Sequence, residues 1–253
     1  MIHPYLSVII PAYNEGKRLP LTLIDVDRHL QEHDFSYEII VVISPSSDNT
    51  NEIMRRFPSI IKNLKCITLI ENQGRGLAVK TGMLAAKGAW RIVMDADNST
   101  SIVEFNKMQP YFSAKDGSAS DENNNTGTHA FDIVIASRYL VGSTASGHLP
   151  IHRRLISGLG RFITRMILVR KVADPNCGFK CFSAASAEKI FGLMQTTGWL
   201  SDLEALTRAL KLGYKIKEVP VHYSYEAGTH RSPRSFAQIS SDYCKIWWWK
   251  LTG

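Results

Sequence analysis

Short apolar runs and helical repeats alternate through the first part of the chain. Leu6–Ile10, Tyr37–Ile43, Cys66–Ile70 and Trp90–Met94 are nearly continuous in apolar and β-branched residues. Strands buried on both faces carry such runs, because neither face meets water. Between them, Leu19, Leu23, Val26 and Leu30 recur at helical spacing. Asp48 is placed to cap a second helix, and Gly76–Lys87 makes a third that Gly88 stops. This strand–helix order predicts an α/β fold with a mainly parallel sheet flanked by helices. Phe131–Ala136 and Ile216–Tyr223 read as later strands, and Lys115–Ala130, crowded with Asn, Ser, Gly and Asp, as a loop. With no internal repeat and no clear linker, the pattern predicts one domain over 1–230 and a helical extension over 231–253.

Two helical patterns carry more than a core face. Over 151–170, Ile151, Leu155, Ile156, Leu159, Phe162, Ile163, Met166 and Ile167 form an apolar stripe. Arg153, Arg154, Arg161 and Arg165 occupy the other side. A basic amphipathic helix suits a membrane interface, but a core helix with a wet basic face has the same pattern. The last helix is predicted to open with Ser232 as cap and Pro233 in its first turn. It repeats Phe236, Ile239, Tyr243 and Ile246 and ends in Trp247-Trp248-Trp249-Lys250. Three consecutive tryptophans cannot all face one core, and indole favours the lipid headgroup layer. Both C-terminal helices are therefore expected to be amphipathic interface elements.

Charge and cysteines narrow the setting. A net charge of +7 favours polyanionic partners: nucleotide phosphates, anionic lipid or nucleic acid. Nucleic acid has charge alone in its favour and is not expected. The four cysteines are too few and scattered for a disulfide framework, and Cys177 with Cys181 lacks a second ligand pair for zinc. A reducing, cytosolic setting follows. No stretch approaches the roughly 18 apolar residues of a membrane span.

The chemistry concentrates at Asp95-Ala96-Asp97, directly after a predicted strand. Ligand sites of open α/β sheets lie at the carboxyl ends of strands. Two carboxylates there can hold a hard cation, Mg²⁺ or Mn²⁺, against a diphosphate. The plain alternative is a polar turn in which Asp97-Asn98-Ser99-Thr100 starts a helix. Context decides between them. Pro11-Ala12-Tyr13-Asn14-Glu15 ends the first strand, Ser46-Ser47-Asp48 follows the second, and Gly74-Arg75-Gly76 follows the third. All four strand ends carry polar, turn-forming sequence on one edge.

These segments, with ASRY (136–139), RRLIS (153–157), NCGFKCF (176–182), SDLEAL (201–206) and EVPV (218–221), resemble the family 2 glycosyltransferases of GT-A fold, a Rossmann-like architecture. Within them the closest likeness is to the polyprenyl- or dolichyl-phosphate hexosyltransferases, and it runs from Ser7 to about Trp249. The resemblance implies an inverting, metal-dependent transfer of a hexose from a nucleotide sugar to a polyprenyl phosphate, on the cytoplasmic face of a membrane. It implies Pro11, Tyr13 and Glu15 at the nucleoside, with Asp48, Gly74, Arg75 and Asp95 also on the donor. Asp95 and Asp97 would hold Mg²⁺ or Mn²⁺, and Arg138 would touch phosphate. Arg153 and Ser157, one helical turn apart, would hold the acceptor phosphate, although Arg153 and Arg154 fit a solvated basic face as well. His230 and Arg231, in Gly228-Thr229-His230-Arg231, stand in a stretch where relatives tend to carry Gly-Ser-Lys; a phosphate-facing cation and a surface turn are equal readings. Asp202 falls where relatives place a base, but a carboxylate at a helix N-terminus needs no further reason.

One departure stands out. Relatives usually carry Asp-Asp-Gly after the second strand, where this chain has Ile43-Ser44-Pro45. That leaves open a non-catalytic nucleotide- or lipid-phosphate-binding protein, beside an enzyme acting on a polysaccharide or protein acceptor. A nucleotidyltransferase would want a Gly-rich loop where Pro11-Ala12-Tyr13 stands.

Overall fold

A computed structural model describes residues 3–112, 130–147, 158, 160–162, 164–225 and 233–252, with the backbone alone over 233–240 and 251–252. In chain order the elements are β1 (Leu6–Ala12), α1 (Leu19–Gln31), β2 (Tyr37–Ile43), α2 (Thr50–Arg56), β3 (Leu64–Thr68), α3 (Arg75–Ala85), β4 (Trp90–Val93), β5 (Ile133–Ser137) and β6 (Thr144–Ser146). A helical stretch, α4, follows, its longest described part covering 164–167. Then come β7 (Lys180–Ser183), α5 (Ala184–Leu193), α6 (Ser201–Lys211), β8 (Ile216–Pro220), β9 (His222–Ser224) and α7 (Pro233–Thr252).

Seven strands form one sheet in the order β3-β2-β1-β4-β7-β5-β8, and β6 pairs with β9 in a separate ribbon. Every pairing in the large sheet is parallel except those of β7, which runs antiparallel to both β4 and β5. The parallel sheet is thus as expected; the sequence reading did not separate β7 within it, nor β6 in the ribbon. The four residues of β7, Lys-Cys-Phe-Ser, begin with a charge and are too short to show a period. The late run also resolves into two strands, β8 and β9, each in a different sheet.

Because β7 runs backward, its start lies on the edge where β1, β2, β4 and β5 end. That edge gathers the described candidate site residues read from the sequence. Both sheet faces are covered, as the continuous apolar runs require. Leu19, Leu23, Val26 and Leu30 of α1 pack on one face with Val8, Ile10 and Ile92. Met83 of α3, Ile190 of α5 and Leu206 of α6 cover the other with Ile9, Ile40 and Val93. Ile246 of α7 joins this second core, so the C-terminal helix is seated on the sheet domain.

Candidate active site

Two loops on the carboxyl edge are laced together. Asn14 adopts a left-handed backbone, φ 55°. Its N–H donates to Ser46 Oγ at 3.1 Å and its Oδ1 accepts from Ser47 N–H at 2.8 Å. Asp48 does not cap α2 in the expected way, since the cap position is Asn49 and the helix starts at Thr50. Instead Asp48 Oδ2 accepts from Gly16 N–H and Oδ1 from Thr50 N–H, both at 3.0 Å. Burial would raise this carboxyl, but its bonds from Thr50 and Gly16 hold it below its ordinary value. Both of its oxygens are therefore committed to loop structure.

The Pro-Ala-Tyr-Asn-Glu segment lies across this floor. Pro11 is the penultimate residue of β1, and Tyr13 stands half-exposed beyond it. Glu15 forms a two-pronged ion pair with Arg18, at 2.7 and 2.5 Å. Burial raises the Glu15 carboxyl above its usual value, against the pull of Arg18, and Asp97 and Asp95 add repulsion. Glu15 and the aspartate pair thus share one electrostatic neighbourhood.

Asp95 and Asp97 follow β4 as expected. Asp95 Oδ1 accepts from Arg75 Nη2 at 2.8 Å and Nε at 3.1 Å. Burial alone would raise the Asp95 carboxyl; Arg75 overcomes it, helped by Lys180 and Arg138, and the carboxyl ends below its ordinary range. Asp97 Oδ1 accepts from Ser99 N–H at 3.0 Å, so the Asx turn exists together with the proposed site. No helix starts there: a short 3₁₀ turn begins later, at Ile102, capped by Ser101. Asp97 Oδ2 has Arg18 Nη1 at 3.8 Å. Oδ2 of each aspartate has no hydrogen-bond donor among the described residues.

Glycines let the parts close up. Gly74, φ 105°, precedes α3 in a backbone conformation that side chains disfavour, and a Cβ there would meet Thr197 O at 2.7 Å. At Gly178 a Cβ would overlap the Asp95 carboxylate, so only glycine allows the loop before β7 to lie against it.

Arg75, Arg138 and Lys180 bring the positive charge. Arg75 opens α3 and bridges Asp95 to Asp202, with Nη1 at 2.8 Å from Asp202 Oδ2. Asp202 lies in the first turn of α6, so the helix-terminal reading and the site reading both hold. Arg138, at the end of β5, is gripped by Asp174. Lys180 is fully buried and stands 3.5 Å from Asp202 Oδ1. Arg153, Ser157 and His230 lie outside the described residues.

Sequence reasoning missed Asp174, Lys180 and the structural role of Cys177. For Lys180 and Cys177 the signal was the NCGFKCF stretch, noticed only as resemblance; Asp174 lies two residues before it and carried no signal of its own. Burial pushes the Cys177 thiol up to about 11, so it is an inert buried group. Cys66, Cys177, Cys181 and Cys244 are all free thiols, in line with the absence of a disulfide framework. Among the described residues, no three His, Cys, Asp or Glu side chains form a ready metal cage. Nor is any described helix long and apolar enough to cross a membrane.

Comparisons with known proteins give the family and the fold. A dolichyl-phosphate beta-glucosyltransferase of Dictyostelium discoideum is 33% identical over 253 residues, covering 96% of this chain and 73% of that protein. The protein of the same name from Drosophila melanogaster is 30% identical, covering 98% and 76%. Among solved structures, glucosyl-3-phosphoglycerate synthase from Mycobacterium tuberculosis, in complex with Mn²⁺, UDP and glucosyl-3-phosphoglycerate, superposes with a TM-score of 0.64. It is 19% identical, with 98% of this chain and 80% of that one covered. A mannosyltransferase from Pyrobaculum calidifontis in complex with GDP-Man and Mn²⁺ gives 0.60 at 19% identity, covering 97% and 64%. These likenesses to solved structures establish the fold, the GT-A architecture. Residues 7–191 match glycosyl transferase family 2, and the chain belongs to that family.

Proposed function

We propose that this protein transfers glucose from a nucleotide sugar to dolichyl phosphate or a similar polyprenyl phosphate, with inversion, at a membrane surface. The observation that carries this reading is the meeting of Asp95, Asp97, Arg75, Arg138 and Lys180 on one strand edge. Relatives named for that reaction match along nearly the whole chain.

The donor would lie over the ends of β1, β2 and β4, with its nucleoside near Pro11, Tyr13 and Glu15 and its diphosphate facing Arg75. Asp95 and Asp97 fit a hard divalent cation, Mg²⁺ or Mn²⁺. Each keeps one carboxylate oxygen free of hydrogen bonds from described residues. Two such oxygens are few, but Mg²⁺ is usually held by one or two carboxylates and completed by substrate phosphates and water. When bound, the cation supplies positive charge against the departing diphosphate.

The acceptor phosphate monoester is already largely dianionic near pH 7, since its second pKa is about 6. No side chain has to remove a proton from it. Its oxygen bonds to the anomeric carbon as the bond to the diphosphate breaks on the opposite face, and the nucleoside diphosphate leaves with the electron pair. Arg138 would steer the acceptor phosphate. Its Nε and Nη2 are spent on Asp174, while Nη1 has no acceptor among the described residues. Arg153, Ser157 and His230 remain acceptor-site candidates from the sequence.

Membrane attachment is supported by what the C-terminal helices leave uncovered. Phe162 is 62% exposed, Met166 51% and Ile167 39%, so these three members of the apolar stripe do not face a core. Trp247 and Trp248 are 46% and 64% exposed. The two helices meet where Lys250 Nζ donates to the carbonyls of Ile167 and Leu168, at 2.6 and 3.0 Å. Basic residues beside exposed apolar ones match a peripheral interface on the cytoplasmic side.

The test is a transfer assay with UDP- and GDP-hexoses, Mn²⁺ or Mg²⁺, and a short polyprenyl phosphate. Glucosyl polyprenyl phosphate as product supports the reading. Hydrolysis alone, or transfer only to a sugar or protein acceptor, overturns it.

A further inference from the structure

The geometry points to Lys180 as a positioning residue that works through Asp202 to hold Arg75 toward the donor. The inference rests on the reading of Arg75 as a donor contact, and it gives Asp202 an anchoring role in place of a proton-accepting one.

Lys180 is fully buried at the start of β7, opposite Val93 on one side and Ile135 on the other. A lysine is almost never fully buried without a partner, because its charge loses hydration. Here the ammonium donates to the Cys177 carbonyl and faces Asp202 Oδ1 at 3.5 Å. Asp202 Oδ2 takes Arg75 Nη1 at 2.8 Å. The other side of the Arg75 guanidinium rests on Asp95 Oδ1. The result is a continuous relay of alternating charge, Lys180, Asp202, Arg75, Asp95.

Three elements meet in this relay. β7 supplies Lys180, the N-terminus of α6 supplies Asp202, and the N-terminus of α3 supplies Arg75. Arg75 is clamped at both ends of its planar fork, and such a fork has one orientation when both carboxylates are in place. Removing the Lys180 charge frees Asp202 to follow Arg75, and Arg75 then loses one of its two fixed points.

Asp202 is poorly placed to act as a base. Each of its oxygens faces a cation, so taking up a proton would weaken two ion pairs at once. A purely space-filling role for Lys180 makes a different prediction, since methionine has similar length and is at home in a core.

Full-length Lys180→Met, Lys180→Arg and Asp202→Asn proteins test this with UDP-glucose, Mn²⁺ and a short polyprenyl phosphate. UDP affinity is measured in parallel by calorimetry. Loss of one charge-assisted contact predicts about a tenfold rise in donor KM and in UDP Kd for Lys180→Met. Its kcat and polyprenyl-phosphate KM should stay close to wild type. Lys180→Arg should recover most of the loss, and Asp202→Asn should show the same donor-side defect with kcat largely kept. Three results overturn the inference: unchanged donor KM and UDP Kd in Lys180→Met, Lys180→Arg as impaired as Lys180→Met, or Asp202→Asn losing kcat with donor KM intact. If Lys180→Met does not fold, the other two variants decide. If wild type moves no glucose to polyprenyl phosphate, the functional reading fails while the UDP affinities still test the relay.

Discussion

Arg138 and Asp174 are joined three times: Arg138 Nε to Oδ2 at 2.7 Å, Nη2 to Oδ1 at 2.9 Å, and the Arg138 backbone N–H to Oδ2 at 3.0 Å. Asp174 is fully buried, and its own backbone N–H donates to Glu218 of β8. The arginine proposed to meet the acceptor phosphate is thus held by a carboxylate that never sees solvent. Its guanidinium also stacks over Tyr223, 4.9 Å from the ring centre. A steering arginine with so many restraints is pre-organised, which lowers the cost of fixing it when substrate arrives.

Breaking that pair should therefore damage both stability and acceptor use. Asp174→Ala is expected to cost about 3 kcal/mol, since it leaves the largely buried Arg138 cation without its carboxylate. Burial raises the Asp174 carboxyl, but Arg138 more than reverses this and leaves it depressed. A depressed carboxyl contributes stability above its unfolded pKa, near 4, and loses it as pH falls through its lower folded value. Urea unfolding should show the full gap between wild type and variant at neutral pH, narrowing only below about pH 4. A gap that already closes near pH 6 contradicts the assignment.

Asp97→Ala should remove transfer and also the metal-dependent rise in melting temperature caused by UDP. A ligand that binds only the folded protein raises its melting point, and the metal contribution should vanish with its carboxylate. Thermal scans with and without Mn²⁺ check this. Unchanged metal-dependent stabilisation would show that the ion, if bound, sits elsewhere.

The tryptophans divide by surroundings. Trp249 packs under Arg208 at 4.1 Å and Lys211 at 4.9 Å from its ring centre, whereas Trp247 and Trp248 are exposed. Replacing Trp247 and Trp248 with Ser should release the protein from anionic vesicles with little change in melting temperature. Trp249→Ser should instead lower stability by about 1–2 kcal/mol through loss of the cation–π contact. Cosedimentation and thermal melting separate the two effects; equal vesicle loss from Trp249→Ser alone would refute the division.

Base recognition should be weak. β2 runs into Ser44, which is buried, with its N–H on the Ala12 carbonyl. Asp48 cannot substitute for the missing carboxylate, because both its oxygens are bound to the loops. Losing a hydrogen bond to a charged acceptor removes about 1.5–3 kcal/mol of discrimination. UDP is still expected to bind more tightly than GDP, by less than about a thousandfold, or roughly 4 kcal/mol. Calorimetric titration of both nucleotides into the Mn²⁺-loaded protein tests this, and a larger preference would reveal another group reading the base.

The sequence by itself determined the layers and most of the candidate site's placement on one sheet edge. The apolar runs at Leu6–Ile10 and Tyr37–Ile43 have no polar face, so they had to be strands covered on both sides. Consecutive strands joined by helices had to run parallel, which put Glu15, Arg75, Asp95 and Asp97 on one edge. That inference needed only periodicity and connection rules, both local properties of the chain. The role of β7 was not accessible in this way. Four residues carry no period, and nothing local says that Lys180 inserts backward between β4 and β5. Only that insertion brings Lys180 beside Asp202, and only the tertiary fold sets Asp174, in the loop before β7, beside Arg138. The same holds for the three tryptophans, identical as letters. Their division into a packed Trp249 and an exposed Trp247 and Trp248 depends on where α6 places Arg208, and long-range packing decides that.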